Sequence, residues 1–509
     1  MPLSPAPLLP GSSPLPEPGR RPPDRRALRL AALAMLPALI VALLAGPLLL
    51  PGLGFFVARV QGQAGGGVPS LAGAQFQGFI MNAAPGQPNG GYTSTASLKN
   101  MREQSDLFHM NAVIIPVIAD MPVRSGSTLY WHAGQKGDFD TLSVNDYVRA
   151  IQDARKAGLV PVLELQVRQF DYLSGCMNAS PGTGCNSTST VVGRAWYDDV
   201  STDNYQSLGG NVGQLEKGWF DYYTAFAASY AALSQQYHLP YFIVGDQLDD
   251  VTTDTTRTSL AGDKYGVDRG VPGESFPNCT GRRDCEWRHV IHALRSPEYA
   301  NFLHHKPQTG GGYTGKLIYA SSWGASTDGL NTPEFEQVSW WDAVDIIGVD
   351  AYFPLSQRSA DLDVASLQRA WNGALQTGAS DQKNITQRLA NVSAKFNKPI
   401  LFTSAGYASS PGANNTPLGV EGVGSSTGVK TPVDGVEQLN DMQALLMTFN
   451  GLPWWAGVFW NGEQPVSPHY DQANWASDSN WAGDTLAASK PAGQWLATFY
   501  KDNPLPCGC

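Results

Sequence analysis

The stretch Trp340-Trp341-Asp342-Ala343-Val344-Asp345-Ile346-Ile347-Gly348-Val349-Asp350-Ala351-Tyr352-Phe353-Pro354 begins with paired tryptophans, passes through an apolar run and stops at an acid followed by aromatics and proline. Within it, Val344–Asp350 reads as a β-strand, with Asp350, Tyr352 and Phe353 at its C-terminal end. Similar apolar runs precede it at Gln75–Asn82, Ala112–Ile118, Leu159–Leu165, Tyr241–Asp246 and Lys316–Ser321, and follow it at Pro399–Thr403 and Trp455–Trp460. Helical stretches fall between them, at about 95–110, 143–157, 217–237, 286–304, 334–341, 362–395, 436–449 and 488–501. Such alternation is the pattern of a parallel sheet covered by helices. Eight units of each kind match an α/β (β/α)8 TIM barrel with long βα loops. A doubly wound open sheet is the alternative, but no GxGxxG follows the first strand to support it.

The longest segments between elements follow the third strand (about 166–216), the fourth (247–285), the seventh (404–435) and the eighth (461–487). All four lie after C-terminal strand ends, where barrels of this kind place their sites. The residues at those ends form one candidate set. The third strand supplies Glu164, Gln166 and Arg168, and the fourth Asp246 and Gln247. Trp323 follows the fifth, Asp350 and Tyr352 close the sixth, Ser404 and Tyr407 follow the seventh, and Trp460, Asn461 and Glu463 close the eighth. Carboxylates, amides and aromatic rings converging on one concave face suit carbohydrate recognition, because sugar rings stack on flat apolar surfaces and offer hydroxyls to polar groups.

A net charge of −10 argues against a nucleic-acid groove, which needs clustered Lys and Arg. The six cysteines form three close pairs, Cys176 with Cys185, Cys279 with Cys285, and Cys507 with Cys509. Local pairs in loop-like sequence suit disulfides in an oxidising compartment, with free thiols as the alternative. A bond between Cys507 and Cys509 would be strained by its short loop. No CxxC occurs, so a zinc site is disfavoured, and His289 and His292 near Glu286 are not read as one. No organic cofactor is implied.

The N-terminus reads as an address. Residues 1–26 form a Pro/Arg-rich tail, and no charged residue occurs from Leu30 to Ala58. That stretch exceeds the roughly 20 residues a membrane helix needs. Residues 27–58 are therefore expected to be a transmembrane signal-anchor, with the basic flank in the cytoplasm and the rest outside. Cleavage near Gly62-Gln63-Ala64, giving a secreted protein, is the alternative. A Gly-rich linker (59–72), the barrel (73–503) and a Cys-containing tail (504–509) complete the expected organisation.

The run from Trp340 to Pro354 resembles the sixth strand of glycoside hydrolase family 113, β-mannanase-type barrels of clan A. Trp287-Arg288-His289-Val290-Ile291, Tyr319-Ala320-Ser321-Ser322-Trp323, Lys398-Pro399-Ile400-Leu401-Phe402-Thr403 and Phe459-Trp460 fall into place around it. The resemblance implies a retaining glycosidase with one Glu after the fourth strand, within Gly-Thr-Glu-Leu, and another after the seventh, within Phe-Thr-Glu. This chain reads Gly245-Asp246-Gln247-Leu248 and Phe402-Thr403-Ser404 instead. Glutamine matches the reach of glutamate but transfers no proton, and a serine without a base is a poor nucleophile. Two readings follow. Either the barrel binds a carbohydrate without the standard mechanism, or it hydrolyses one with relocated carboxylates, Asp246 acting with Glu164, Asp350 or Glu463. Six N-x-S/T sequons occur, at Asn178, Asn186, Asn278, Asn384, Asn391 and Asn414.

Overall fold

The computed structural model describes residues 76–83, 88–122, 129, 142–170, 191–194, 219–253, 282–296, 312–324, 332–356, 362–373, 384–417, 434–463 and 490–504. All lie within one compact unit, Ala64–Cys509. The strands are β1 (Phe76–Met81), β2 (Ala112–Pro122), β3 (Val160–Phe170), β4 (Val191–Arg194), β5 (Tyr241–Asp246), β6 (Lys316–Ser322), β7 (Ile346–Asp350), β8 (Ile400–Ala405) and β9 (Trp455–Glu463). Their order is β2-β1-β9-β8-β7-β6-β5-β3, and β2 also pairs with β3 to close the sheet. Eight strands therefore form a closed parallel barrel. The short β4 lies antiparallel on the end of β3.

Ten helices are described: α1 (Thr95–Asp106), α2 (Val144–Lys156), α3 (Trp219–Gln236), α4 (Asp249–Thr252), α5 (Arg282–Arg295), α6 (Glu334–Gln337), α7 (Val364–Trp371), α8 (Ile385–Phe396), α9 (Gly435–Phe449) and α10 (Pro491–Asp502). Their starts are written locally. Ser143 and Asp146 form a capping box at α2, Asp363 caps α7 and Asn384 caps α8. Proline at the first turn of α10 removes an amide that would have no helical partner. The single helix expected over 362–395 is instead the pair α7 and α8. Gly373 ends the first with φ +79°, and a Cβ there would meet the Asn384 amide nitrogen at 2.8 Å. The helix expected over 334–341 shortens to one turn, α6, followed by a 3-10 turn at Trp341–Ala343.

Two apolar layers sandwich the sheet. Inside the barrel, Phe76 packs edge-on to Tyr241 at 4.7 Å and against Phe459 at 5.3 Å, below Ile114, Ile243 and Ile346. Outside, Trp287 and Trp340 stack at 4.7 Å under α5, with Tyr319 of β6 against both. The sequence alternates between these layers with the two-residue period of a strand.

Residues 1–75 lie outside the described residues, so the expected tail, anchor and linker lie outside them too. Among the described residues no helix is long and apolar enough to cross a membrane. Most of the long βα segments also lie outside, with Cys176, Cys185, Cys279, Cys507 and Cys509. No described cysteine is free.

Candidate functional site

The C-terminal ends of β3, β5, β7 and β8 bring the site together, and irregularities in the pleat aim it. In β5, Val244 belongs to the outer layer, and a Cβ on Gly245 would also point outward, 2.7 Å from the Tyr223 hydroxyl. Two successive outward positions reset the alternation, which appears as a register shift between Ile243 and Asp246. Asp246 consequently turns into the barrel. There it meets Gln166 of β3, whose Nε2 donates to Asp246 Oδ2 at 3.0 Å and to Glu164 Oε2 at 2.9 Å. One amide nitrogen thus bridges two carboxylates.

Gln247 follows in the left-handed region, with φ +47°. Its backbone amide donates to the Ala320 carbonyl at 2.8 Å, and its side-chain Nε2 donates to Asp350 Oδ2. The other Asp350 oxygen accepts from Thr403 Oγ1 at 2.9 Å. A second irregularity, between Phe402 and Ala405, lets both Thr403 and Ser404 reach the end of β7. Ser404 is hydrogen-bonded through its hydroxyl to the Tyr352 hydroxyl. Glu164, Asp246 and Asp350 are only 2%, 3% and 1% exposed, so these acids lie beneath the surface of the mouth.

The rim is more open. Trp323 is half-buried after β6, its ring edge-on to Phe353 at 6.1 Å. Half-buried Asn461 at the end of β9 accepts from Asn82 Nδ2 at 3.3 Å. The side chains of Arg168 and Glu463 lie outside the described residues, although the backbone of Arg168 lies two residues before the end of β3 and that of Glu463 ends β9.

Two residues of the candidate set are placed elsewhere. Phe459 faces the barrel interior, so Trp460 faces outward, and its indole N–H donates to the Tyr500 hydroxyl of α10 at 2.9 Å. Tyr407 is buried beside α9, where its carbonyl accepts from Gln438 Nε2 at 2.8 Å. Burial first, and the charge of Asp441 second, push the Tyr407 hydroxyl well above the ordinary tyrosine range. Neither ring joins the group around Asp350.

Sequence reasoning missed Asp120. The strand expected to stop at Ile118 continues to Pro122 and pairs Asp120 with Arg168, and Asp120 is fully buried. The signal was available, since alternation from Ala112 and Ile114 places residue 120 on the interior face. It also missed Glu334 and Tyr319, which sit behind the mouth. Among the described residues no cluster of His, Cys, Asp or Glu is arranged to hold a metal ion.

A closed parallel barrel with polar groups at these strand ends has known counterparts. Residues 278–482 match Glycoside Hydrolase Family 113. The match to this family spans α5 through β9, and includes Trp323, Asp350, Tyr352 and Ser404 but not Glu164, Asp246 or Gln247. A family 113 β-mannanase from Alicyclobacillus acidocaldarius, solved in complex with ManMIm, is 16% identical with a TM-score of 0.54, covering 85% of this chain and 99% of that one. A second family 113 β-1,4-mannanase complex is 15% identical with a TM-score of 0.53, covering 84% and 99%. A third family 113 β-1,4-mannanase is 14% identical with a TM-score of 0.52, at the same coverage of 84% and 99%. At these identities the likeness establishes the barrel fold. No curated protein matches the chain.

Proposed function

We propose that this chain is a membrane-anchored, extracytoplasmic barrel that binds a carbohydrate, a β-mannan-like polysaccharide or oligosaccharide, without the retaining double displacement. The observation that carries the reading is the pair Gln247 and Ser404. The resemblance implies a Glu at each position, and both side chains here are engaged in hydrogen bonds at the mouth, Gln247 to Asp350 and Ser404 to Tyr352. A retaining glycosidase needs an acid/base and a nucleophile about 5–5.5 Å apart. An amide cannot supply the proton, and among the described residues the Ser404 hydroxyl is bonded to the Tyr352 hydroxyl, which is not a general base. What remains is a polar floor with Trp323 on its rim as a stacking face, which is the equipment of a binding site.

The organisation proposed around the barrel is a cytoplasmic tail (1–26), a signal-anchor (27–58) and a Gly-rich linker (59–72), with Cys176–Cys185 and Cys279–Cys285 disulfides stiffening the loops. It is supported by the uncharged stretch from Leu30 to Ala58 behind a cluster of arginines. An N-terminus beginning near Gly65 in purified material would replace the anchor with a cleaved signal.

One observation favours a second reading, hydrolysis by relocated acids. Because one nitrogen lies within 3.0 Å of both, the bridged oxygens of Glu164 and Asp246 are no more than about 6 Å apart, a bound that includes the retaining separation of about 5–5.5 Å. Calorimetric titration of the full-length chain with mannohexaose, with chromatography of the products, separates the two. Binding without product supports the first reading. Product that disappears in Asp246→Asn transfers the function to the second, and absence of binding across a panel of β-linked oligosaccharides overturns both.

A further inference from the structure

Behind the mouth, the carboxylate of Glu334, at the start of α6, is fully buried. Its Oε1 accepts from Thr252 Oγ1 at 2.6 Å and from the Tyr319 hydroxyl at 2.5 Å, while Oε2 accepts from the Ser322 backbone amide at 2.6 Å. The Tyr319 hydroxyl in turn accepts from the Leu248 backbone amide at 2.9 Å. Leu248 directly follows Gln247, and Ser322 directly precedes Trp323. One carboxylate therefore ties the end of β5 to the end of β6. The left-handed backbone at Gln247 is costly for a residue with a Cβ and persists only where its surroundings hold it. The amide on its C-terminal side is held by Tyr319 and its own amide by Ala320.

We infer that Glu334 and Tyr319 are positioning residues for the carbohydrate site: together they hold Gln247 in the conformation that reaches Asp350 and Trp323 at its place on the rim. The inference rests on the carbohydrate-binding reading, and its test has one arm that needs no sugar. Tyr319→Phe removes a single hydroxyl that contacts no proposed ligand, and Glu334→Gln keeps the shape while replacing one acceptor oxygen with a donor. In amide hydrogen exchange read by mass spectrometry, Tyr319→Phe should speed exchange at least tenfold in peptides covering 246–250, and Glu334→Gln in those covering 246–250 and 320–324 (about the weight of one lost charge-assisted bond). Mannohexaose affinity should fall about tenfold in both variants, with the tryptophan fluorescence change on binding reduced. Unchanged exchange in both peptides overturns the inference. Faster exchange with undiminished mannohexaose affinity also overturns it, because the pair would then be structural only. Should the native chain not bind mannohexaose, the carbohydrate reading fails separately. The pair is then judged by the exchange arm and by a Tyr319→Phe crystal structure, in which retention of the left-handed Gln247 overturns it.

Discussion

Replacing Gln247 with glutamate tests the geometry of the mouth through stability alone. The native amide donates to Asp350 Oδ2. A glutamate of the same reach would set a second carboxyl against that oxygen. While protonated it donates as the amide did, so the variant Gln247→Glu should match the native protein near pH 4. Ionised, two carboxylates at about 4 Å repel by about 4 kcal/mol at an effective dielectric constant of about 20. The folded state avoids that repulsion by keeping the proton, which raises the new group's pKa above the roughly 4.3 it has in the unfolded chain. With its folded pKa raised, the variant's stability is fully present below about pH 4.3 and is lost as pH rises toward the folded value. The loss accrues at about 1.4 kcal/mol per pH unit, giving about 1 kcal/mol at pH 5, about 2.4 at pH 6 and between 3 and 4 at pH 7, where repulsion caps it. Urea denaturation of both proteins from pH 4 to pH 8 measures this directly. A difference that does not change with pH would refute the placement of Gln247 against Asp350.

Three further outcomes follow from the same structure. Trp323→Ala, at a half-buried rim position edge-on to Phe353, should weaken mannohexaose binding about tenfold and cost about 1 kcal/mol of stability, as calorimetry and urea denaturation would record. Arg288 reaches Asp342 with both terminal nitrogens, at 2.9 and 2.8 Å, and these bonds hold the Asp342 carboxyl below its usual range. The stability from this depressed pKa is present above about pH 4 and lost as pH falls below it. Since the Asp342 side chain is 47% exposed, Asp342→Asn should cost under about 1 kcal/mol at pH 7 and nothing measurable near pH 2. In a glycosylating host, mass spectrometry should find sugar on exposed Asn391 and none on Asn414, which is fully buried with its side-chain oxygen bonded to the Ser356 hydroxyl.

The sequence alone determined the architecture. Period-two apolar runs and their alternation with capped helices are local properties, and each strand from β1 to β9 except β4 could be placed within a few residues. The gathering of Glu164, Gln166, Asp246, Gln247, Asp350, Tyr352 and Ser404 was legible for the same reason, since parallel strands end at one rim. What the tertiary structure decided is the direction of each side chain within that rim. An extra residue in β5 turns Asp246 inward, and an irregularity in β8 lets Thr403 and Ser404 both reach β7, while in β9, irregular around Gly457, Phe459 faces inward and Trp460 points out to Tyr500. Bulges arise from how one strand registers against its neighbour, so no single run of sequence announces them. The amide shared by Glu164 and Asp246, and the carboxylate of Glu334 joining two strand ends, depend on side chains brought together from distant parts of the chain. Composition supplied those groups, and closure of the barrel made them neighbours.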